Sequence, residues 1–189
     1  MTSKCKKQDS KKGKIDDMKK FFQFVLMAAF AFTMAACGSK SSLSPEEEKA
    51  AKELAETGTV YEGAHFTLTY PGAWKETFKN EGTINATADD DYTKIDATFS
   101  DYPCKPADFE QYYKNFTGMS MHSSFKFDPM VVDGNILTFK GVNGDFAMTT
   151  FVVYIDDKAG VGGSVKYPVA KAAEVEPLIK PMLQTIKKK

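Results

Sequence analysis

Arginine is absent from the 189-residue chain, which removes the planar guanidinium fork that clamps phosphate or carboxylate through two parallel hydrogen bonds. Any anion site must therefore use lysine, hydroxyls or backbone amides. Histidine is scarce too: His65 and His122 are the only two. Neither H-x-x-x-H nor H-E-x-x-H spacing occurs, so a metal centre of either pattern is excluded and both are expected to be sheet or loop residues. Of the three cysteines, Cys5 lies in an N-terminal leader, Cys37 closes that leader, and Cys104 is alone in the remainder of the chain. A disulfide within the folded part is excluded, so the core must hold without one. Cys104 has no resolving thiol and is expected to be inert or partly buried. Ser123 and Ser124 come directly after His122 but lack the strained G-x-S-x-G elbow of a serine nucleophile. No helix comes after Gly160, Gly162 and Gly163, which reads as a turn or bulge rather than a phosphate loop.

What is present suffices for one ordinary domain, since 42% of residues are hydrophobic and 13% aromatic. The zero net charge hides an asymmetry. The first 36 residues carry 8 lysines against 3 acids, leaving 17 lysines against 22 acids from Cys37 onward. A mildly acidic working part excludes a nucleic-acid binder, which needs a concentrated basic face to displace counterions from phosphates.

Met18, Lys19 and Lys20 precede the 16-residue apolar run Phe21 to Ala36, which only Gln23 and Thr33 interrupt. The run falls short of the roughly 20 residues a membrane-spanning helix needs and ends in small residues, the layout of a secretory signal peptide. Met1 to Asp17 is hydrophilic and unlike the start of such a signal, so translation is expected to begin at Met18. After Cys37 a serine-rich spacer, Gly38 to Leu43, leads into Ser44-Pro45-Glu46-Glu47. That reads as a capping box with proline at the first helical position, opening a short helix to about Glu56 that stops at Gly58. Its apolar positions are mostly alanine, so it is expected to extend a stalk rather than join the core. The expected boundaries are a leader over 1–36, an anchor and stalk over 37–58, and a domain over 59–189.

Within that domain the period is two. Strands are expected at Phe66 to Tyr70, Trp74 to Lys79, Thr83 to Ala88, Lys94 to Ser100, Ser124 to Val132, Ile136 to Lys140, Asp145 to Asp156 and Gly162 to Tyr167. Asp133-Gly134-Asn135 and Asn143-Gly144 mark tight hairpins. Phe109, Tyr112, Tyr113 and Phe116 fall at helical spacing, so Pro106 to Phe116 reads as a helix packed on the sheet, with Tyr112 or Tyr113 able to line a pocket rim. Val175, Leu178, Ile179, Met182, Leu183 and Ile186 form a second stripe, expected to restart near Pro177 or bend at Pro181. Strands in hairpin order with inserted and terminal helices imply an α+β fold, an antiparallel β-sheet covered by helices. Asp89, Asp90 and Asp91 offer hard oxygens for calcium but lack EF-hand spacing, and a solvated turn is the expectation.

Two resemblances add to this reading. Met34-Ala35-Ala36-Cys37-Gly38-Ser39 resembles the lipobox of bacterial lipoproteins, with methionine where that family prefers leucine. The resemblance implies cleavage before Cys37, acylation of Cys37 as the lipidation site, and a lipid anchor in the cell envelope. Gly38, rather than an aspartate, after the cysteine favours the outer membrane. Phe66 to Trp74 (FTLTYPGAW) resembles the F-x-(I/V)-x-Y-P-x-x-W opening of PsbP-like domains, and the two helices fall where that family has them. This implies a PsbP-like α/β/α sandwich over about Val60 to Lys187; a cystatin-like curved sheet is the alternative. Photosynthetic members of the family retain calcium and chloride near a manganese cluster, but no cofactor motif is found here, and fold analogy cannot supply a site. The expectation is a membrane-anchored, noncatalytic lipoprotein that binds an envelope protein or small ligand. A structural or assembly role, and an enzyme whose site forms only in the fold, are the alternatives.

Overall fold

In the computed structural model, residues 43–189 are described. The leader, the start at Met18 and the lipidation site Cys37 lie outside the described residues.

Helix α1 (Pro45–Thr57) begins as its capping box requires. The Ser44 backbone N–H donates to Glu47 Oε2 at 2.7 Å, and the Glu47 backbone N–H donates to Ser44 Oγ at 3.2 Å. The stalk expectation is corrected: Ala50 and Leu54 are buried, and Leu54 belongs to the main core. Helix α1 packs against the last helix, α3 (Ala172–Gln184). Two buried positions four residues apart give even an alanine-rich helix a docking edge.

Strands β1 (Thr59–Glu62) and β2 (Phe66–Tyr70) pair with the short C-terminal β11 (Lys187–Lys188) in a three-stranded antiparallel sheet. The hydroxyl of Thr185 ties the end of α3 to this sheet. It accepts from the Thr69 N–H at 2.8 Å and donates to the Met182 carbonyl at 2.7 Å. The large sheet contains β3 (Lys75–Lys79), β4 (Thr83–Thr87), β5 (Lys94–Ser100), β6 (Lys126–Phe127), β7 (Val131–Asp133), β8 (Ile136–Asn143), β9 (Phe146–Asp156) and β10 (Ala159–Pro168). Its order is β3-β4-β5-β10-β9-β8-β6, with β7 also on β8 and every pair antiparallel. The hairpin glycines adopt left-handed backbone, Gly134 at φ 61° and Gly144 at φ 57°, as tight turns between strands demand.

The large sheet buries side chains on both faces, and strand alternation sorts them. On β9, Phe151 and Val153 enter the main core, with Ile84, Ile95, Val161 and Val165 from neighbouring strands. That face is covered by the small sheet, α1 and α3. Val152 points the other way, into a second core with Leu137 and Phe139, beneath helix α2 (Phe109–Thr117). Helices on both faces of an antiparallel sheet make the fold α+β, as the strand and helix order implies.

Three elements depart from the sequence reading. The strand expected over 124–132 is two short pieces interrupted at Asp128 to Met130, where Pro129 has no N–H to give a ladder. Gly160, Gly162 and Gly163 are not a connection between strands: they lie inside β10. A Cβ on Gly160 would sit 2.7 Å from Pro103 Cβ, and one on Gly163 would sit 2.7 Å from the Phe151 ring, so backbone and ring approach closely here. A bulge between Ala159 and Gly160 starts this strand. Helix α3 runs through both Pro177 and Pro181 without restarting. A proline in a helix interior costs about 3 kcal/mol, whereas burying each large apolar side chain contributes about 1.5–3 kcal/mol. Val175, Ile179, Met182 and Leu183 are all buried, so packing outweighs the two lost hydrogen bonds.

Candidate functional site

The outer face of the large sheet, opposite the main core, is divided in two. Helix α2 lays Phe109, Tyr112, Tyr113 and Phe116 over Leu137, Phe139 and Val152 and so covers the β8–β9 half. The other half presents short polar side chains, half-buried or exposed: Asn85 and Thr87 on β4, Asp96 and Thr98 on β5, Ser164 on β10. A shallow cleft of about 250 Å³ opens where the two halves meet. Met148 and Lys166 lie side by side at its base, Lys94 is next to them, and the rings of Phe125, Phe146 and Tyr92 stand around it with Asp91.

Register explains this grouping. On β9, Met148 pairs with Gly141 of β8 on one side and Lys166 of β10 on the other. Lys166 pairs with Lys94 of β5, Lys94 with Thr87 of β4, and Thr87 with Lys75 of β3. One rung thus crosses the sheet from glycine through methionine to three lysines and a threonine. Gly141 is needed at its end: a Cβ there would fall 2.5 Å from Phe127 Cε1 and 3.1 Å from Phe125 Cδ1, so its absence lets both rings lie on the sheet. Phe125 reaches that place because the chain turns through Ser120–His122 after α2. On the opposite rim, Tyr92 leans on Phe146 with ring centroids 5.9 Å apart. Both rings are about half exposed.

The charges of the rung are unevenly answered. Lys75 pairs with Asp89 at 2.8 Å. Lys166 reaches Asp96 only at 3.6 Å, and Lys94 makes no ion pair among the described residues. Like charges directly opposed on neighbouring strands tend to repel, and Asp96 offsets this only on the Lys166 side, which leaves Lys94 as the unanswered charge at the edge of an apolar cleft.

The aspartate loop supports the Tyr92 rim. Asp90 Oδ1 accepts from the backbone N–H groups of Tyr92 and Thr93 at 3.0 and 2.7 Å, and Oδ2 accepts from the Thr93 hydroxyl at 2.7 Å. The Lys171 ammonium lies 3.1 Å from the same carboxylate. Burial works to raise the pKa of Asp90, but the hydrogen bonds from Thr93 and Tyr92, with Lys171, prevail and hold it well below the usual carboxylate range. Asp89 is committed to Lys75, and Asp91 sits in left-handed backbone at φ 60°. The loop is a self-bonded turn, and among the described residues no group of three or more His, Cys, Asp or Glu side chains could hold a metal ion.

The Asp90→Ala variant leaves the N–H of buried Thr93 without its acceptor, so it should lose about 1–3 kcal/mol. The pH dependence has a definite sign. The folded-state value is depressed, so the stabilisation is complete above the unfolded carboxylate range and is lost as pH falls toward the folded value. Urea midpoints from pH 7 down to pH 3 should fall less steeply for the Asp90→Asn variant than for the native chain.

The other residues singled out in the sequence have structural places. His65 stacks on Phe99 at 4.4 Å and His122 on Phe116 at 4.2 Å between ring centroids. Cys104 is partly buried against the second core, and burial followed by the charge of Asp108 pushes its thiol up, away from the reactive thiolate. Ser124 accepts from the Asn143 side-chain amide at 3.0 Å. Tyr112 and Tyr113 belong to the second core and are not among the residues lining the cleft. The cleft residues escaped sequence reasoning because separate, distant segments supply them. The only local signal was lysine at Lys94 and Lys166, near strand ends.

Helices on both faces of an antiparallel sheet, with a small second sheet, define a PsbP-like α+β fold. The solution structure of cyanobacterial PsbP (CyanoP) from Synechocystis sp. PCC 6803 matches with a TM-score of 0.50 at 8% identity, over 70% of this chain and 93% of the other. A crystal structure from Bacteroides thetaiotaomicron VPI-5482 matches with a TM-score of 0.48 at 13% identity, over 70% of this chain and 49% of that one, so this chain spans about half of that protein's length. The Saccharomyces cerevisiae Ran-binding protein Mog1p gives 0.47 at 12% identity, over 68% and 94%. These likenesses concern the fold alone. No family model matches the chain, and no curated protein matches it in sequence.

Proposed function

We propose that this chain is a lipoprotein of the bacterial cell envelope, anchored through acylated Cys37, whose domain acts by noncatalytic binding of a ligand or partner at the outer sheet face. The carrying observation is the cleft itself: strand register sets Lys94, Lys166 and Met148 side by side where the open half of the sheet meets the half that α2 covers, and rings from the adjoining loops stand around them. The groups with the most displaced acidities serve as internal fastenings. Asp90 caps its own loop, Tyr70 donates to Glu76 at 2.9 Å, and Tyr167 donates to Glu176 at 3.0 Å. Burial first, with the nearby Glu176 carboxylate, pushes Tyr167 up to about 12. A site for acid–base chemistry holds such groups free to face a substrate; here they are spent on the fold.

The anchor part of the proposal rests on the apolar run from Phe21 to Ala36 and the small-residue segment ending at Cys37. Among the described residues no helix is long and apolar enough to cross a membrane. Two or more acyl chains hold a protein stably, where one is marginal. The Cys37→Ser variant, expressed in a bacterial host fed a clickable palmitate analogue, is expected to lose the label and to leave the outer-membrane fraction. Equal labelling of native and variant chains would end the lipoprotein reading.

A further inference from the structure

We infer that the cleft bounded by Tyr92, Phe125 and Phe146 is a receptor for a small organic monocarboxylate with a ring-sized apolar body. This rests on the binding role proposed above and names the chemistry of its ligand.

Four observations converge on that class. The first is charge. Two ammonium groups, Lys94 and Lys166, and one carboxylate, Asp91, line the cleft; Lys166 already has Asp96 at 3.6 Å, so Lys94 is the one of the two without an ion pair among the described residues, a single charge that matches a monoanion better than a phosphate dianion. The second is the like-charge pairing of Lys94 with Lys166 across the β5–β10 ladder. Such pairing costs stability in the empty protein, and an anion between the two ammonium groups would turn the repulsion into two charge-assisted contacts. The third is apolar surface. Met148 at the base and the rings of Phe125, Phe146 and Tyr92 put a soft sulfur and three aromatic side chains beside the charge. The fourth is size: about 250 Å³ lies just under the usual range of small-molecule pockets, about 300–1,000 Å³, which admits one ring or a short branched chain and excludes a long acyl chain. Lysine, as a point charge, recognises a carboxylate without demanding fork geometry, which suits a chain without arginine.

The test compares benzoate with benzamide, which share a ring and differ in charge. The full chain, purified in dodecyl maltoside and labelled with nitrogen-15, is titrated with each while amide resonances are monitored. Benzoate is expected to give saturable shifts centred on Tyr92, Lys94, Phe146, Met148 and Lys166. Benzamide should bind at least about tenfold more weakly, because a hydrogen bond to a charged group contributes about 1.5–3 kcal/mol. The K94Q/K166Q double variant should reduce benzoate to the level of benzamide while its melting temperature stays level or rises, since the repulsion is gone. A lysine pair with a purely structural role would show the reverse, lower stability with unchanged binding. A Phe125→Ala variant should weaken both ligands alike. Equal binding of the two ligands, shifts centred elsewhere, or benzoate binding that survives K94Q/K166Q would each overturn the inference. Those results leave anchoring at Cys37 standing, because palmitate labelling is read independently; loss of labelling with benzoate binding intact would sink the anchor alone.

Discussion

Truncating Phe151 to alanine is expected to cost about 3–5 kcal/mol of folding stability, the usual range for removing a fully buried aromatic ring. Phe151 is completely buried near the middle of β9. Its neighbours across the ladders are Thr138 on β8 and Gly163 on β10. Gly163 has no side chain to move into the space, and a Cβ there would lie 1.9 Å from the Asp96 carbonyl oxygen, so the strand cannot shift easily to close the void. The loss should therefore fall toward the upper end, because cost grows with the cavity left behind. For a domain of this size it corresponds to a fall in melting temperature on the order of 10 °C. Urea denaturation should show a lower midpoint with an unchanged slope. A loss below about 1 kcal/mol would contradict this packing.

Leu54→Ala is expected to cost about 2–5 kcal/mol, and this variant separates a stalk from a core element. Leu54 is 4% exposed and shares the main core with Val175, Ile179, Met182 and Leu183 of α3. The Gly58 N–H closes the helix on the Leu54 carbonyl at 3.0 Å, so the same residue joins the end of α1 to the first strand. Glu48→Ala, on the exposed side of the same helix, should stay within about 0.5 kcal/mol. If α1 were only a spacer, the two variants would unfold at the same urea midpoint.

Much of the fold was legible locally. The capping box needs only Ser44 and Glu47, three residues apart, and both of its hydrogen bonds are present. Period-two alternation located β2, β5 and β9, because every second side chain of a strand faces the same way whatever the strand pairs with. The hairpin at Asn143-Gly144 could be read from the glycine's tolerance of positive φ. Errors occurred where distant contacts outweighed local preference. The prolines suggested a restart near Pro177 or a bend at Pro181, yet the buried stripe carries α3 through both without a restart. Three glycines read as a turn or bulge; a bulge does stand at Ala159/Gly160, but all three glycines sit inside β10, where Gly160 comes close to Pro103 and Gly163 to the Phe151 ring. Alanine-rich α1 read as a stalk, since its composition could not reveal that α3 would lie beside it.

The cleft shows the limit most clearly. By itself the sequence determined the α+β class, the caps, the hairpins, the absence of arginine and the acidic excess from Cys37 onward. It also carries the apolar run and small-residue segment that end at Cys37, because each depends on residues within a few positions of one another. Only the tertiary structure decided that Lys94 and Lys166 stand opposite each other, that Met148 lies next to them, and that Phe125 and Tyr92 close the cleft from two remote loops. Register is a property of strand pairs: a slip of one residue would turn every one of these sheet side chains to the other face. That register is set by burial of the main core on the opposite side, so the packing of Phe151, Val153 and their neighbours also positions the candidate site.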